Sequence, residues 1–234
     1  MASQSRAATD ATDRAGKEIW QVAGLYAVTP DLPDTDELTA KVEAVLEGGC
    51  RLLQYRNKTA GSRLLKEQAT AIRAQTRHHG ARLIINDHVL LALDVGADGV
   101  HLGKDDADLH GLRAARAKAG HSAGFSIGVS CYNQLERAEQ AVQCGADYLA
   151  FGSMFSSMTK PHAGAAPLSL LSAAKARFSL PVVAIGGIST QNAMVAVAAG
   201  ADAIAVISAL FEAGTLPEIR AQAHLFTSYF SNHV

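Results

Sequence analysis

The sequence predicts an α/β fold, a single (β/α)8 TIM barrel, and three observations carry that prediction. The first is a phrase used three times. Gly96-Ala97-Asp98, Gly145-Ala146-Asp147 and Gly200-Ala201-Asp202 each precede a short apolar run, such as Gly99-Val100-His101-Leu102 or Ala203-Ile204-Ala205-Val206-Ile207. A helix ending at Gly, a tight turn and a buried strand make half of a βαβ unit. The phrases begin at 96, 145 and 200, and each interval holds two such units at ~25 residues apiece. The second is that short apolar runs alternate with helical periodicity along the chain, as in one parallel sheet. The third is size: 234 residues, 48% of them hydrophobic, match one barrel of roughly 200–250 residues.

Eight strand candidates follow in order: 24–29, 51–55, 82–86, 99–102, 126–130, 148–151, 182–185 and 203–207. All are short and apolar rather than cleanly alternating, as parallel strands covered by helices read. The helical segments are 35–47, 62–79, 89–95, 109–119, 134–144, 168–178, 190–199 and 216–229. The first has Leu38, Val42, Val45 and Leu46 on one face. Gly48, Gly80, Gly96, Gly120, Gly145 and Gly200 end or follow helices, so each is expected to adopt a left-handed C-cap. Residues 1–20 are rich in Ala, Ser and Thr; they form a tail or an extra helix outside a barrel spanning 21–234.

Composition excludes several functions. A formal net charge of −1 gives no bulk attraction to nucleic acid or to an anionic membrane, so any anion site must be local. Cys50, Cys131 and Cys144 are odd in number and lack CxxC spacing. They are read as structural thiols of a cytoplasmic protein, not as a disulfide or zinc framework. No signal-peptide core and no run of ~18 apolar residues is present. A homo-oligomer is compatible with this composition.

In a barrel, chemistry collects where strands end. Strand 2 runs into Gln54-Tyr55-Arg56-Asn57-Lys58, and alternation places Gln54, Arg56 and Lys58 on one side. Two cations and an amide there suit an anionic ligand, although a solvated basic loop reads the same way. Strand 3 ends in Asn86-Asp87 and strand 4 in His101-Leu102-Gly103-Lys104-Asp105-Asp106. Carboxylates beside phosphate-binding cations build a Mg2+–diphosphate site; alternatively Asp87 and Asp105 are helix N-caps. His101 reads as a hydrogen-bonded core residue. Ser130 either donates to a ligand or caps the next helix, and no partnering His and acid is visible for a nucleophile. Phe151–Lys160 is a hydroxyl-rich loop ending in a cation, suited to a mobile cover or simply exposed. Gly186-Gly187 after strand 7 and Ile207-Ser208 after strand 8 match the common barrel phosphate site.

This ordered set resembles the thiamine phosphate synthase family. The stretches that carry the resemblance are Leu25-Tyr26-Ala27-Val28-Thr29, Gln54-Tyr55-Arg56-Asn57-Lys58, Leu83-Ile84-Ile85-Asn86-Asp87, Gly99-Val100-His101-Leu102-Gly103, Ile127-Gly128-Val129-Ser130, Thr159-Lys160 and Ile185-Gly186-Gly187-Ile188. The resemblance implies a transferase. It would couple 4-amino-2-methyl-5-(diphosphooxymethyl)pyrimidine with thiazole phosphate to give thiamine phosphate and diphosphate, by a dissociative, Mg2+-assisted route. It implies that Gln54, Tyr55, Arg56, Asn57, Lys58 and Asn86 hold the pyrimidine diphosphate, with Ser130 and Lys160 beside them. Asp87 and Asp106 would hold Mg2+. Ser157, Thr159, Gly187, Ile207 and Ser208 would form the thiazole phosphate site. Arg56, Lys58, Ser130 and Lys160 would carry the catalysis.

The chain departs from the family pattern twice. Lys104-Asp105-Asp106 stands where the family has Gln-Glu-Asp, making Asp105 a second candidate metal ligand. Ser153, Ser156 and Ser157 replace Pro, Pro and Thr, which predicts a looser loop and weaker thiazole phosphate binding. The competing readings are a thiazole tautomerase-like isomerase and a non-catalytic phosphate-binding paralogue. Asp98, Asp147 and Asp202 sit at the strand-entry end and are expected to be structural.

Overall fold

The computed structural model describes residues 22–103, 109–119, 124–156 and 166–231. Among them, eight parallel strands close into a barrel, β1 pairing with both β2 and β8. In chain order the elements are β1 (Gly24–Val28), α1 (Thr35–Glu47), β2 (Leu52–Tyr55), α2 (Ser62–His78), β3 (Arg82–Asn86), α3 (Val89–Asp94), β4 (Gly99–Leu102), α4 (Leu109–Ala119), β5 (Ser126–Tyr132), α5 (Leu135–Gln143), β6 (Tyr148–Phe151), α6 (Ser169–Arg177), β7 (Val182–Ile185), α7 (Ala193–Ala198), β8 (Ala203–Val206), α8 (Ser208–Phe211) and α9 (Leu216–Ser231). The expected N-terminal tail or helix, and Gly120, lie outside the described residues. Among the described residues no helix is long and apolar enough to cross a membrane.

The departures from expectation have local causes. The α7 helix begins three residues late because Asn192 folds the chain back, donating to Gly187 O at 2.9 Å and accepting from Ser189 N at 2.8 Å. Strand β5 runs on to Tyr132, with a register shift against β6 between Ser130 and Tyr132. At the end of α1 the left-handed residue is Gly49 (φ +96°), not Gly48 (φ −70°). Gly48 is needed for space instead: a Cβ there would lie 2.5 Å from that of Ala223 on α9.

Alternation divides the strands into two apolar layers. Leu25, Ala27, Leu53, Leu83, Ile85 and Val100 belong to the layer between sheet and helices. Val28, Leu52, Ile84, Ala150, Val183, Ala203 and Ala205 fill the barrel interior around Tyr26 and Tyr148. Both tyrosines are fully buried, and small neighbours accommodate them. Gly128 pairs with Tyr148 in register, and a Cβ on it would fall 1.9 Å from the ring.

The three repeat aspartates do one job, at the end of the barrel where these strands begin. Asp98, Asp147 and Asp202 accept hydrogen bonds from the backbone N–H of Leu83, Ile127 and Val182 in the preceding strands, at 2.8, 2.6 and 2.7 Å. Each is also paired with a cation from the helix before that strand: Arg73 on α2, Arg116 on α4 and Lys175 on α6. Each aspartate thus ties two strands to one helix. The three thiols are free and buried; burial pushes Cys50 up to about 11 and Cys131 up to about 12.

Candidate active site

At the other end of the barrel, polar side chains replace the apolar filling. Gln54 ends β2 on the interior side and is buried. Its Nε2 donates to the Tyr26 hydroxyl at 2.8 Å, which lies 2.8 Å from the Tyr148 hydroxyl. The Tyr148 hydroxyl lies 3.1 Å from Nδ1 of His101, and Nε2 of His101 lies 2.9 Å from Ser130 Oγ. A continuous hydrogen-bonded chain therefore crosses the barrel from β2 to β5. Burial lowers His101 to about 4 against the opposing pull of Asp87, so the ring is neutral near pH 7. Burial also raises both tyrosines well above their usual value.

His101 is the hydrogen-bonded core residue expected. For Ser130, the capping alternative falls and a partner appears. It does not cap α5, whose N-cap is Gln134 without a side-chain cap bond, and it does have a histidine partner. That histidine is backed by a tyrosine rather than an acid, so the set is not a nucleophile triad. Arg137 of α5 donates from Nε to Ser130 O at 2.8 Å and fixes the strand end.

The cations are set by the loop after β1. Thr29 Oγ1 accepts from Arg56 N and donates to Arg56 O, both at 2.8 Å. Asp31 Oδ1 accepts from Arg56 Nη1 at 2.8 Å and from Lys58 N at 3.0 Å. Lys58 is exposed, and its Nζ lies 3.9 Å from Asp87 Oδ2.

Asp87 sits at φ +60°, a conformation that Asp tolerates better than most residues and that is enriched at functional sites. Its Oδ1 accepts from Gly103 N at 2.9 Å and its Oδ2 from Asn86 Nδ2 at 2.6 Å. The carboxylate therefore links β3 to β4. His88, not Asp87, is the N-cap of α3, which removes the capping alternative.

The side chains of Tyr55 and Asn57, which were expected to hold substrate, make their hydrogen bonds toward α2 and the β1–α1 loop. The Tyr55 hydroxyl donates to Gln68 Oε1 at 2.8 Å, and Asn57 Nδ2 donates to Leu32 O at 2.9 Å. Asn57 Oδ1 accepts from Thr59 N and Ala60 N. Both residues wall a pocket of about 340 Å³ with Lys58, Asn86 and Asp87, but their polar atoms are committed to holding the β2–α2 loop.

The described part of the loop after β6 lies on β7. Met154 N donates to Ile185 O and Phe155 N to Gly186 O, both at 3.0 Å. Gly186 and Gly187 have φ of +99° and +65°, and a Cβ on either would come within 2.6 Å of this loop. Their first role is thus to admit the loop. Ser153, in the family's proline position, closes on Phe155 O at 3.0 Å and helps hold this segment. Ile207 precedes the short helix α8, which begins at Ser208, and its carbonyl accepts from Leu210 N at 3.1 Å and Phe211 N at 2.9 Å. Lys104, Asp105, Asp106, Ser157, Thr159 and Lys160 lie outside the described residues.

Comparison with known proteins places the chain in a family. The family model described as thiamine monophosphate synthase matches residues 25–210. The chain belongs to the thiamine monophosphate synthase family. It is similar to thiamine-phosphate synthases of Bordetella pertussis, 50% identical over 89% of this chain and 95% of the relative, and of Chromobacterium violaceum, 54% identical over 82% and 90%. A solved thiamine phosphate pyrophosphorylase from Pyrococcus furiosus is 34% identical, with a TM-score of 0.76, over 89% of this chain and 96% of that one. A 3-hexulose-6-phosphate synthase from Salmonella typhimurium, 21% identical with a TM-score of 0.68 over 90% of this chain and all of that one, shares the fold alone. The thiamine monophosphate synthase match runs from β1 into α8, so every mouth residue described above lies inside it.

Sequence reasoning missed Tyr26, Asp31, Arg137 and Tyr148. Parity along β1 and β6 carried a signal for the two tyrosines, since both stand on the inward side. For Asp31 and Arg137 no periodic signal exists.

Proposed function

We propose that this thiamine monophosphate synthase family member couples the aminopyrimidine methyl diphosphate to thiazole phosphate, releasing diphosphate and forming thiamine phosphate. One observation supports the reading most: Arg56, Lys58, Ser130 and Asp87 surround one barrel mouth, and no activated nucleophile stands among the described residues. Such a site is fitted to stabilise departing negative charge. In a dissociative step the C–O bond to diphosphate breaks, and the thiazole nitrogen then forms the new C–N bond. Arg56 offers a two-pronged donor to phosphate oxygens and Lys58 a point charge. Ser130 donates on the β5 side, with Lys160 as a further cation. Gln54 and Asn86 hold the pyrimidine. Gly187, Ile207 and Ser208, with Ser157 and Thr159, hold the thiazole phosphate.

Mg2+ fits the described donors. Asp87 is a hard oxygen ligand anchored by Gly103 and Asn86, and Mg2+ needs only one or two carboxylates besides phosphate and water. Asp87 and Asp106 would hold the ion, which when bound neutralises diphosphate charge. Free, buried thiols support a reducing cytoplasmic setting.

Mixing the two substrates with Mg2+ tests the reading. Stoichiometric thiamine phosphate and diphosphate are expected, with loss on adding EDTA. No product under saturating Mg2+ would refute the function, and full activity in Asp87→Ala would refute the metal assignment.

A further inference from the structure

We propose that Gln54, Tyr26, Tyr148, His101 and Ser130 form a one-way hydrogen-bond relay that sets Gln54 as an acceptor and Ser130 as a donor toward bound ligand, with Tyr26 and Tyr148 as positioning residues. The ligand's identity, and with it the choice between the chain's two directions, rests on the function proposed above; the His101 tautomer reads the direction independently of it.

The direction follows from counting protons. Gln54 Nε2 donates to the Tyr26 oxygen. Tyr26 then has one proton left, and the hydroxyl of Tyr148 faces it at 2.8 Å. A hydroxyl that accepts from Tyr26 gives its own proton onward, and Nδ1 of His101 is the acceptor beyond it. A neutral imidazole with Nδ1 accepting carries its N–H on Nε2, which donates to Ser130 Oγ. The Ser130 proton is thereby left free for the ligand. At the other end, the Gln54 amide has spent one Nε2 proton inward and offers its carbonyl oxygen, with the second Nε2 proton beside it.

The chain has only one other self-consistent direction. If the Gln54 amide were reversed, every proton would shift along, and Ser130 would spend its proton on His101. A phosphate oxygen only accepts, so it is compatible with the first direction alone. Two positions on opposite sides of the mouth are therefore coupled: an anion engaged by Ser130 leaves the Gln54 carbonyl oxygen unspent and able to read a donor. The exocyclic amine of an aminopyrimidine is such a donor, whereas a carbonyl at that ring position is not. Packing holds the geometry. The His101 and Tyr148 rings stack at 5.6 Å, Tyr26 meets Tyr148 edge-on at 6.1 Å, and Gly128 leaves the room that Tyr148 fills.

Two measurements test the relay separately from the function. In the full chain labelled with [15N]histidine, two-bond 15N–1H correlation reads the His101 tautomer, assigned by the signal missing from His101→Gln. The Nε2–H form is expected, with and without inorganic diphosphate and Mg2+; an Nδ1–H form in either state overturns the relay. The second measurement compares kcat/KM for the aminopyrimidine diphosphate with that for its 4-oxo analogue. Tyr26→Phe and Tyr148→Phe are each expected to reduce that preference about tenfold, roughly one hydrogen bond. A merely structural loss lowers both substrates equally and leaves the ratio intact, and an unchanged ratio in both variants overturns the coupling. If the wild type makes no thiamine phosphate, the function fails, and the tautomer alone decides the relay.

Discussion

The three repeat aspartates permit a comparison within one molecule, because the same carboxylate-to-strand hydrogen bond, backed by a cation, stands at different depths. Asp98 and Arg73 are 13% and 14% exposed, and Arg82 adds a second cation at 3.2 Å. Arg73 Nε already lacks a partner among the described residues. Asp98→Ala removes the carboxylate from Leu83 N and strands a buried guanidinium, a loss of about 3–5 kcal/mol. Asp202 and Lys175 are 31% and 39% exposed, so solvent replaces much of their ion pair. Asp202→Ala then costs mainly the charge-assisted bond to Val182 N, about 1–2 kcal/mol, with the pair adding under about 1. Asp147, paired with Arg116 and similarly exposed, should follow Asp202. Asp98→Asn keeps an acceptor for Leu83 N and should recover about 1 kcal/mol. Urea unfolding at pH 7 measures these differences, and each kcal/mol should move Tm by roughly 2–4 °C in a chain of this size. Equal losses at the three positions, or the largest loss at Asp202, would refute the reasoning that burial ranks them.

Three further outcomes follow from the site. Asp31→Ala removes the group that aligns Arg56 and Lys58, and kcat/KM should fall about tenfold, one charge-assisted hydrogen bond; unchanged kinetics would show the cations align unaided. His101 titrates at about 4 in the fold and near 6.5 when unfolded. The unfolded chain thus binds more protons between those values, and stability should fall by about 3 kcal/mol as pH drops from 6.5 to 4. His101→Gln should lose that part of the slope in pH-dependent unfolding. Gly128→Ala puts a Cβ 1.9 Å from the Tyr148 ring; a loss of about 1–3 kcal/mol or more in unfolding free energy is expected, together with a drop in activity larger than the unfolded fraction accounts for.

What the sequence made legible and what it hid divide along one physical line. The barrel was readable because each parallel strand is covered on both faces and so stands out as an uninterrupted apolar run, and because Gly-Ala-Asp marks the entry to three of them, β4, β6 and β8. Gln54, Arg56 and Lys58 were readable because alternation alone puts them on one side. The same rule sets the side chains of Tyr55 and Asn57 apart from these: their parity sends them toward α2 and the β1–α1 loop, where Gln68 and Leu32 O take their polar atoms. A motif quoted as an unbroken string conceals that parity. The relay was hidden for a different reason. Tyr26 and Tyr148 are 122 residues apart, and His101 lies 47 residues before Tyr148. Their meeting depends on the closed register of the barrel, which no local pattern encodes. Asp31 was hidden because loop conformation has no period to read. The polar centre of this barrel is therefore the part that sequence patterns describe least, although its parts stand in the open: two tyrosines and a histidine on inward-facing positions of strands whose other inward positions are mostly small or aliphatic. Buried hydroxyls at such positions must find partners, so an inward polar aromatic in a predicted barrel is itself a pointer to a second polar group across the axis.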